Sequence, residues 1–386
     1  MGKQATFGYN LGKWTLEDAL MSDSLRTYVR VKHRVCQNLQ DEHLSRITNL
    51  ALMITGVVRS RSVQQTQVAG EVPLRCQDKS FVQRQRRFLM NPGVEVDRFY
   101  SPFIRPFLWA RRRHMLPLIL DSSPAGCHCQ MLMAACGYQS RALPLAWSVR
   151  KGQTGHFPTA EHLRIVERAA AHIPEDAPVV LLGDGEFGKV ALAQEALSRN
   201  WRYVLRAACD DLIWIEGEPY PLSEFQVGPG GTLWLEDVLW TNAQFGPVNV
   251  AVIWDESKEA PMYLITCFEL FGETRYWYKR RFWVEPMFRD DKSMGFNLQK
   301  SQLRDPSRMT KLLLVVCLSY LWIMFLGCMA VFSGSIRFID RTDRRDCSLF
   351  TYGLRWLRRL LKIDAYIPVR FCPYPFLHLS QARGVG

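Results

Sequence analysis

The sequence predicts an α/β fold: a mixed sheet with helices on its faces, interrupted by a β-rich insertion and preceded by an all-α region. Three observations carry that prediction. From about Leu16 to Phe107 the chain is helix-like, polar and basic; at Met115 it changes to short apolar runs separated by turn residues; and those runs then alternate with helical spacing. With 386 residues, 48% apolar and 22% charged, the composition is globular and excludes wholesale disorder. Lys and Arg number 49 against 37 Asp and Glu, a formal charge of +12. Such an excess favours an anionic partner, whether nucleic acid, phospholipid or an acidic protein.

Taken in order, Leu44 to Val58 sets apolar residues at helical spacing, and the polar stretch Ser60 to Val72 follows. Ser80 to Asn91 then places Arg84, Arg86 and Arg87 beside Phe81, Phe88 and Leu89. Helix, short polar helix and basic helix resemble a helix-turn-helix style DNA-binding region, although a small bundle with a solvated basic face explains them equally well. Leu116–Leu120, Cys129–Cys136 and Ala142–Val149 read as three antiparallel strands. His162 to Ala171 is helical, Pro178–Leu182 a strand, Val190 to Ser198 a helix and Tyr203–Leu205 a strand. Between about Asp210 and Glu269 the pattern is β again, clearest at Val248–Ile253 and Met262–Thr266, with turn chemistry at Gly228-Pro229-Gly230-Gly231. Arg275 to Asn297 turns helical, basic and aromatic.

Three features bear on compartment. Met1 to Asn10 has no apolar run behind a basic start, so no secretory signal is expected. Eleven cysteines are scattered from Cys36 to Cys372, and reduced thiols are the expectation. The tightest group is Cys127, His128, Cys129 and Cys136; zinc sites prefer CxxC pairs, whereas CxC sets both sulfurs on one face of a strand. Leu312 to Phe332 runs for twenty-one residues without a charge. By length it reads equally as a bilayer span or as a helix buried on all sides. Basic residues flank it on both sides, so the charge asymmetry of a spanning segment is missing. Beyond it, the chain from Ser335 carries arginine clusters at Arg344-Arg345 and Arg358-Arg359.

The residues that carry chemistry stand at element ends. Asp121 follows the strand LPLIL and Asp184 follows PVVLLG. A carboxylate there reads as a turn or N-cap residue, or as one that holds an ion or a partner. Further on, Tyr278, Arg281, Glu285 and Lys292 are spaced i, i+3, i+7, i+14. On a continuous helix they fall at roughly 0°, 300°, 340° and 320°, one narrow stripe. A carboxylate flanked by two cations and a phenol suits a metal ligand beside a phosphate clamp, and a solvated charge network is the plainer alternative. Pro286 lacks an N–H, so the helix is expected to begin anew near Glu285.

That four-residue spacing, with LILDSS at Asp121, LLGDGEF at Asp184, NWRYVLR at Asn200–Arg206 and YLIT at Tyr263–Thr266 in the same order, resembles the insertion-sequence-four group of bacterial DDE transposases, over roughly residues 45 to 330. The resemblance implies an RNase H-like core. It further implies that Asp121, Asp184 and Glu285 are the catalytic carboxylates and ligands of two Mg²⁺, with Mn²⁺ substituting. Tyr278, Arg281 and Lys292 would hold DNA phosphates, and Phe282 would stack on a base. The sequence departs from the group at Gly185, where relatives often have Arg, and at Pro286, where a helix former is usual. In the group a long apolar helix follows the Glu helix and packs on the sheet, so no membrane is expected.

The organisation that follows is a helical DNA-binding domain at 1–107, with Arg84, Arg86 and Arg87 as phosphate contacts, and a catalytic core in two parts, 108–209 and 269–334. A β-rich insertion lies at 210–268 and a tail, with a possible role in oligomerisation, at 335–386. The expected activity is metal-dependent cleavage and strand transfer of double-stranded DNA: terminal inverted repeats joined to target DNA by a homodimer in a synaptic complex. The expected location is the bacterial cytoplasm, at the nucleoid. A transposase-derived protein that binds DNA without catalysis is the alternative.

Overall fold

The structure is a computed structural model that describes residues 21–152, 154–341 and 347–375. The leader reading of Met1–Asn10 and the Arg344-Arg345 cluster lie outside the described residues. The chain falls into two compact units: one formed by residues to Val94 together with the chain from Leu314 onward, the other by Glu95–Leu313.

In the first unit, α1 (Asp23–Asn38) starts at Ser22, whose hydroxyl caps the Leu25 N–H at 3.4 Å. Helix α2 (Leu44–Ser60) is buried on nearly every side from Leu50 to Val58 and ends at Arg61 in the left-handed region, φ 52°. The polar stretch after it holds only the short helix α3 (Gln65–Gly70). Gly56 lets α3 approach, since a Cβ there would stand 2.5 Å from Val68 Cγ1. Helix α4 (Asp78–Met90) buries Phe81, Gln85, Phe88 and Leu89 and leaves Arg86 and Arg87 exposed.

The second unit opens with α5 (Val96–Arg111), which contains Pro102 and Pro106 yet buries Phe99, Tyr100, Phe103, Ile104, Phe107 and Leu108. Its anchor is Tyr100, which donates to the Pro144 carbonyl at 2.6 Å and packs edge-on against Trp147. Strands β1 (Leu116–Ala125), β2 (Cys129–Tyr138) and β3 (Arg141–Lys151) form an antiparallel meander. Helix α6 (Thr159–Ala170) leads to β4 (Val179–Gly183), and α7 (Val190–Ser198) to β5 (Arg202–Ala207). Strand β4 lies parallel to both β1 and β5. The order 3-2-1-4-5 that results is the RNase H-like arrangement that the family resemblance implied.

The β-rich stretch does not stand apart from this sheet. Strands β6 (Leu212–Ile215), β7 (Glu218–Pro221), β8 (Thr232–Trp240), β9 (Phe245–Ile253) and β10 (Met262–Thr266) continue it to ten strands, entering through an antiparallel pairing of β10 with β5. The apolar segment is helix α10 (Pro306–Phe332). It is long and apolar enough to cross a membrane by length and composition, and 94% of its apolar window is buried inside the protein. The unit boundary falls within this helix. In the first unit α10 meets α11 (Leu349–Lys362) backbone to backbone. Cβ atoms added at Gly327 and Gly353 would stand 1.9 Å from the Leu349 and Ile323 carbonyl oxygens respectively.

Candidate active site

The site begins with strand register. Leu120 is paired with Gly183 across the parallel β1–β4 ladder, so Asp121 and Asp184 are the next residues on neighbouring strands. Two carboxylates are thereby delivered side by side where the β1–β4 ladder ends, near the position at which open α/β sheets place ligands. Asp184 follows β4 as the sequence implied, whereas β1 runs on past Asp121 to Ala125 because β2 continues to pair with it, so Asp121 lies within its strand. Each is fixed by a backbone N–H. Asp121 Oδ1 accepts from its neighbour Ser122 N at 2.8 Å, and Asp184 Oδ1 accepts from Glu186 N at 3.1 Å, capping the short turn Gly185–Phe187.

Glu285 arrives from a segment that is not the continuous helix implied by an even stripe. Helix α8 (Phe271–Tyr278) is followed by a 3-10 turn (Lys279–Trp283), then α9 (Val284–Arg289) and a π-type turn (Asp290–Met294). Lys292 has non-helical φ −86° and ψ −108°. The stripe calculation fails because each change of helix type changes the turn per residue. Pro286 sits in the first turn of α9, where its missing N–H is not needed. Gly137 admits this segment to the sheet: a Cβ there would stand 2.7 Å from Pro117 Cγ and 3.1 Å from Trp283 Cε3.

Tertiary packing nonetheless brings most of the predicted residues together, and Arg281 is at their centre. Its Nη2 lies 2.7 Å from Asp184 Oδ2 and 3.3 Å from Asp121 Oδ2, and its Nη1 lies 2.8 Å from Glu285 Oε1. The three carboxylates are graded in exposure, 12% for Asp121, 32% for Asp184 and 50% for Glu285, so the cluster opens to solvent on the Glu285 side. Burial pushes Asp121 up to about 7, against the pull of Arg281 and with the push of Asp184. Lys292 donates to Ser123 Oγ at 2.6 Å on β1, close enough to Asp121 for the two charges to act on one another.

Tyr278 is buried at the end of α8, its phenol pushed up to about 12 by that burial, and it packs edge-on against the exposed Phe282. Both line a groove of about 400 Å³ whose walls include Trp254, Arg275 and Lys279. Asp255 and Glu256 share that wall with the cations, so the groove is mixed in charge. Arg84, Arg86 and Arg87 belong to the other unit. There Arg84 donates to Asn49 Oδ1 and Arg86 Nε lies 3.3 Å from Gln65 Oε1.

Behind the aspartates stands Glu186, which matches a Glu frequent in the motif of the resembled group; its partners were not anticipated from the sequence. Glu186 accepts from Ser122 Oγ at 2.7 Å and Phe157 N at 2.7 Å, with His162 Nε2 at 3.2 Å. Burial works to raise its pKa, but these hydrogen bonds outweigh it and bring Glu186 down to about 2. Glu186 thus joins the residue after Asp121 to the turn capped by Asp184. Ser122, Ser123 and Glu186 lie inside LILDSS and LLGDGEF, so proximity to the aspartates was a usable signal; nothing in the sequence marked His162. At Gly185 nothing stands within 4 Å of an added Cβ, so the departure from Arg has no steric cause.

Two aspartates and a glutamate offer hard oxygen donors only, the set that Mg²⁺ selects. Among the described residues, no three His, Cys, Asp or Glu side chains are grouped so as to hold one ion. The donors fit a divalent ion in kind, while their spacing is set by the guanidinium between them.

The fold and site together define a mixed-sheet protein with a carboxylate cluster where its parallel β1–β4 ladder ends. No family model matches the chain and no curated protein matches it. Among solved structures it is similar to a piggyBac transposase in a synaptic complex with hairpin DNA, determined by cryo-electron microscopy. The TM-score is 0.46 at 12% identity, covering 88% of this chain and 77% of that one.

Proposed function

We propose that this chain is a DNA transposase of the insertion-sequence-four group, cutting the terminal inverted repeats of its element and joining them to target DNA. One observation carries the reading: Asp121, Asp184 and Glu285 come from three separate elements and all meet the guanidinium of Arg281, with Lys292 nearby on Ser123. Solvated charge networks have no reason to converge in this way where the ladder between two parallel strands ends.

Asp121, Asp184 and Glu285 would hold two Mg²⁺, with Mn²⁺ as a substitute. Such ions, when bound, lower the pKa of an attacking water or 3′-hydroxyl and neutralise the leaving oxygen. The chain's own residues do the rest. Glu186, through Ser122 and its own N–H, keeps the two aspartates in register. Arg281 and Lys292 supply bidentate and point-charge contacts to the phosphates flanking the cut, with Tyr278 beside them. Phe282, 45% exposed, offers a face for a base displaced from the duplex. Arg84, Arg86 and Arg87 are assigned to phosphates of the terminal repeat, and synapsis of two ends requires a dimer on DNA. The corresponding location is the bacterial cytoplasm, at the nucleoid.

The test is cleavage of a labelled duplex carrying the element's terminal repeat, in Mg²⁺ or EDTA. Nicking at the repeat boundary is expected only with the metal, and Asp121→Asn, Asp184→Asn and Glu285→Gln should each reduce it to the EDTA background. Binding without nicking in the unaltered protein would establish instead a DNA-binding protein without catalysis. Nicking that survives all three substitutions would place the chemistry elsewhere.

A further inference from the structure

Three carboxylates in one cluster repel one another, and without a cation at least one of them must take a proton. Here the cation is a side chain. Arg281 meets each carboxylate at a separate contact, while its Nε is buried without a hydrogen-bond partner, although the side chain is only 9% exposed. The oxygens it takes decide the matter. Asp121 Oδ1 and Asp184 Oδ1 are engaged by backbone N–H groups, so Arg281 occupies Oδ2 of each, the pair of oxygens that faces the cluster. An ion shared by these aspartates needs the same two oxygens. A guanidinium and a metal ion cannot both have them.

Resting on the transposase reading above, we infer that Arg281 is a resident counter-cation that occupies the metal-facing oxygens in the DNA-free protein and must leave before a divalent ion is bound. Arg281 is one positive charge in direct contact with three carboxylates, and Lys292 acts on Asp121 only from its seat on Ser123, so the contact holds the ligands in place without fully compensating them. Arg281 also stands on a 3-10 turn between two short helices, where backbone hydrogen bonding is poorer than in an α-helix, and beside the exposed Phe282. A DNA phosphate offers the guanidinium a competing bidentate partner. DNA that draws Arg281 away therefore raises affinity for the metal, and by linkage the metal raises affinity for DNA. The consequence is an ordered site, in which the ions are bound tightly only once a DNA end is in place.

Mn²⁺ binding to the full-length chain without DNA, read by electron paramagnetic resonance, tests this without any activity measurement. Arg281→Gln should bind Mn²⁺ roughly 5- to 150-fold more tightly than the unaltered protein, the usual range for coupled sites. The gain should vanish in the double variant Arg281→Gln with Asp184→Asn. Arg281→Lys keeps a charge but cannot reach three carboxylates, so it should fall between; if Arg281→Gln does not fold, this variant carries the comparison. Equal Mn²⁺ affinity with and without Arg281 would overturn the inference and leave the metal-dependent reading standing. Failure of every chain to bind Mn²⁺ at the carboxylates would overturn both.

Discussion

His172 shows at the scale of one side chain how burial becomes pH dependence. It follows α6, is 5% exposed, and its Nδ1 lies 3.1 Å from Ser101 Oγ while its Nε2 has no partner. Burial foremost lowers its pKa from 6.5 to about 4; Asp97 opposes the shift, and Arg105 and Arg168 add to it. The folded protein therefore keeps the ring neutral where the unfolded chain takes up a proton. Stability is present above pH 6.5 and is lost as the pH falls towards 4, by as much as ~3 kcal/mol. Denaturant titrations at both ends of that window should show the loss. His172→Asn, which retains a group able to meet Ser101 and does not titrate, should flatten the slope across it.

Between elements, the contact of α10 with α11 rests on two glycines. Alanine is the better helix former by about 1 kcal/mol, so replacing a helical glycine with nothing near its Cβ position should not harm stability. Gly70, at the end of α3, is such a case, with no atom within 4 Å. At Gly327 and Gly353 the added methyl meets a carbonyl oxygen of the other helix at 1.9 Å, and a backbone must move. Gly327→Ala and Gly353→Ala should each cost about 2 kcal/mol or more, outweighing propensity, whereas Gly70→Ala should be neutral or slightly stabilising. Thermal unfolding of the three variants checks the order. The helix-forming tendency of Leu349–Lys362 is legible in sequence; the closeness of its approach to α10 is not, because it depends on two glycines twenty-six positions apart.

For the molecule as a whole, a charge of +12 bears on affinity more than on fold. If the proposed DNA end is bound through the assigned phosphate contacts Arg84, Arg86, Arg87, Arg281 and Lys292, binding is dominated by counterion release. The log of affinity should then fall with the log of salt concentration at a slope near −0.9 per phosphate neutralised, about −4 to −5 for these five. Fluorescence anisotropy between 50 and 200 mM salt measures it, and each Arg→Gln change among the five should make the slope shallower by about one. A slope near zero would mean that the basic excess serves something other than a phosphate backbone.

The sequence by itself determined the apolar runs that lead into Asp121 and Asp184 and the restart of a helix at Glu285. Each of these is written in local terms, an apolar run or a proline lacking an N–H. Twenty-one residues without charge fit a bilayer span and a buried helix alike, and the burial of α10 appears only in the folded chain. Tertiary structure decided the rest. The even spacing from Tyr278 to Lys292 implied one helix, and packing broke it into four short pieces, since the chain had to bring Arg281 and Glu285 down onto two adjacent strands. Glu186 gained its role only because Ser122, Phe157 and His162 converge on it from three places in the chain. Residues to Val94 were joined with those from Leu314 onward into one unit by contacts that no local pattern records. Arg281 became the centre of the carboxylates for a reason of the same kind: charges far apart in sequence are neutralised by whichever cation the folded backbone sets among them.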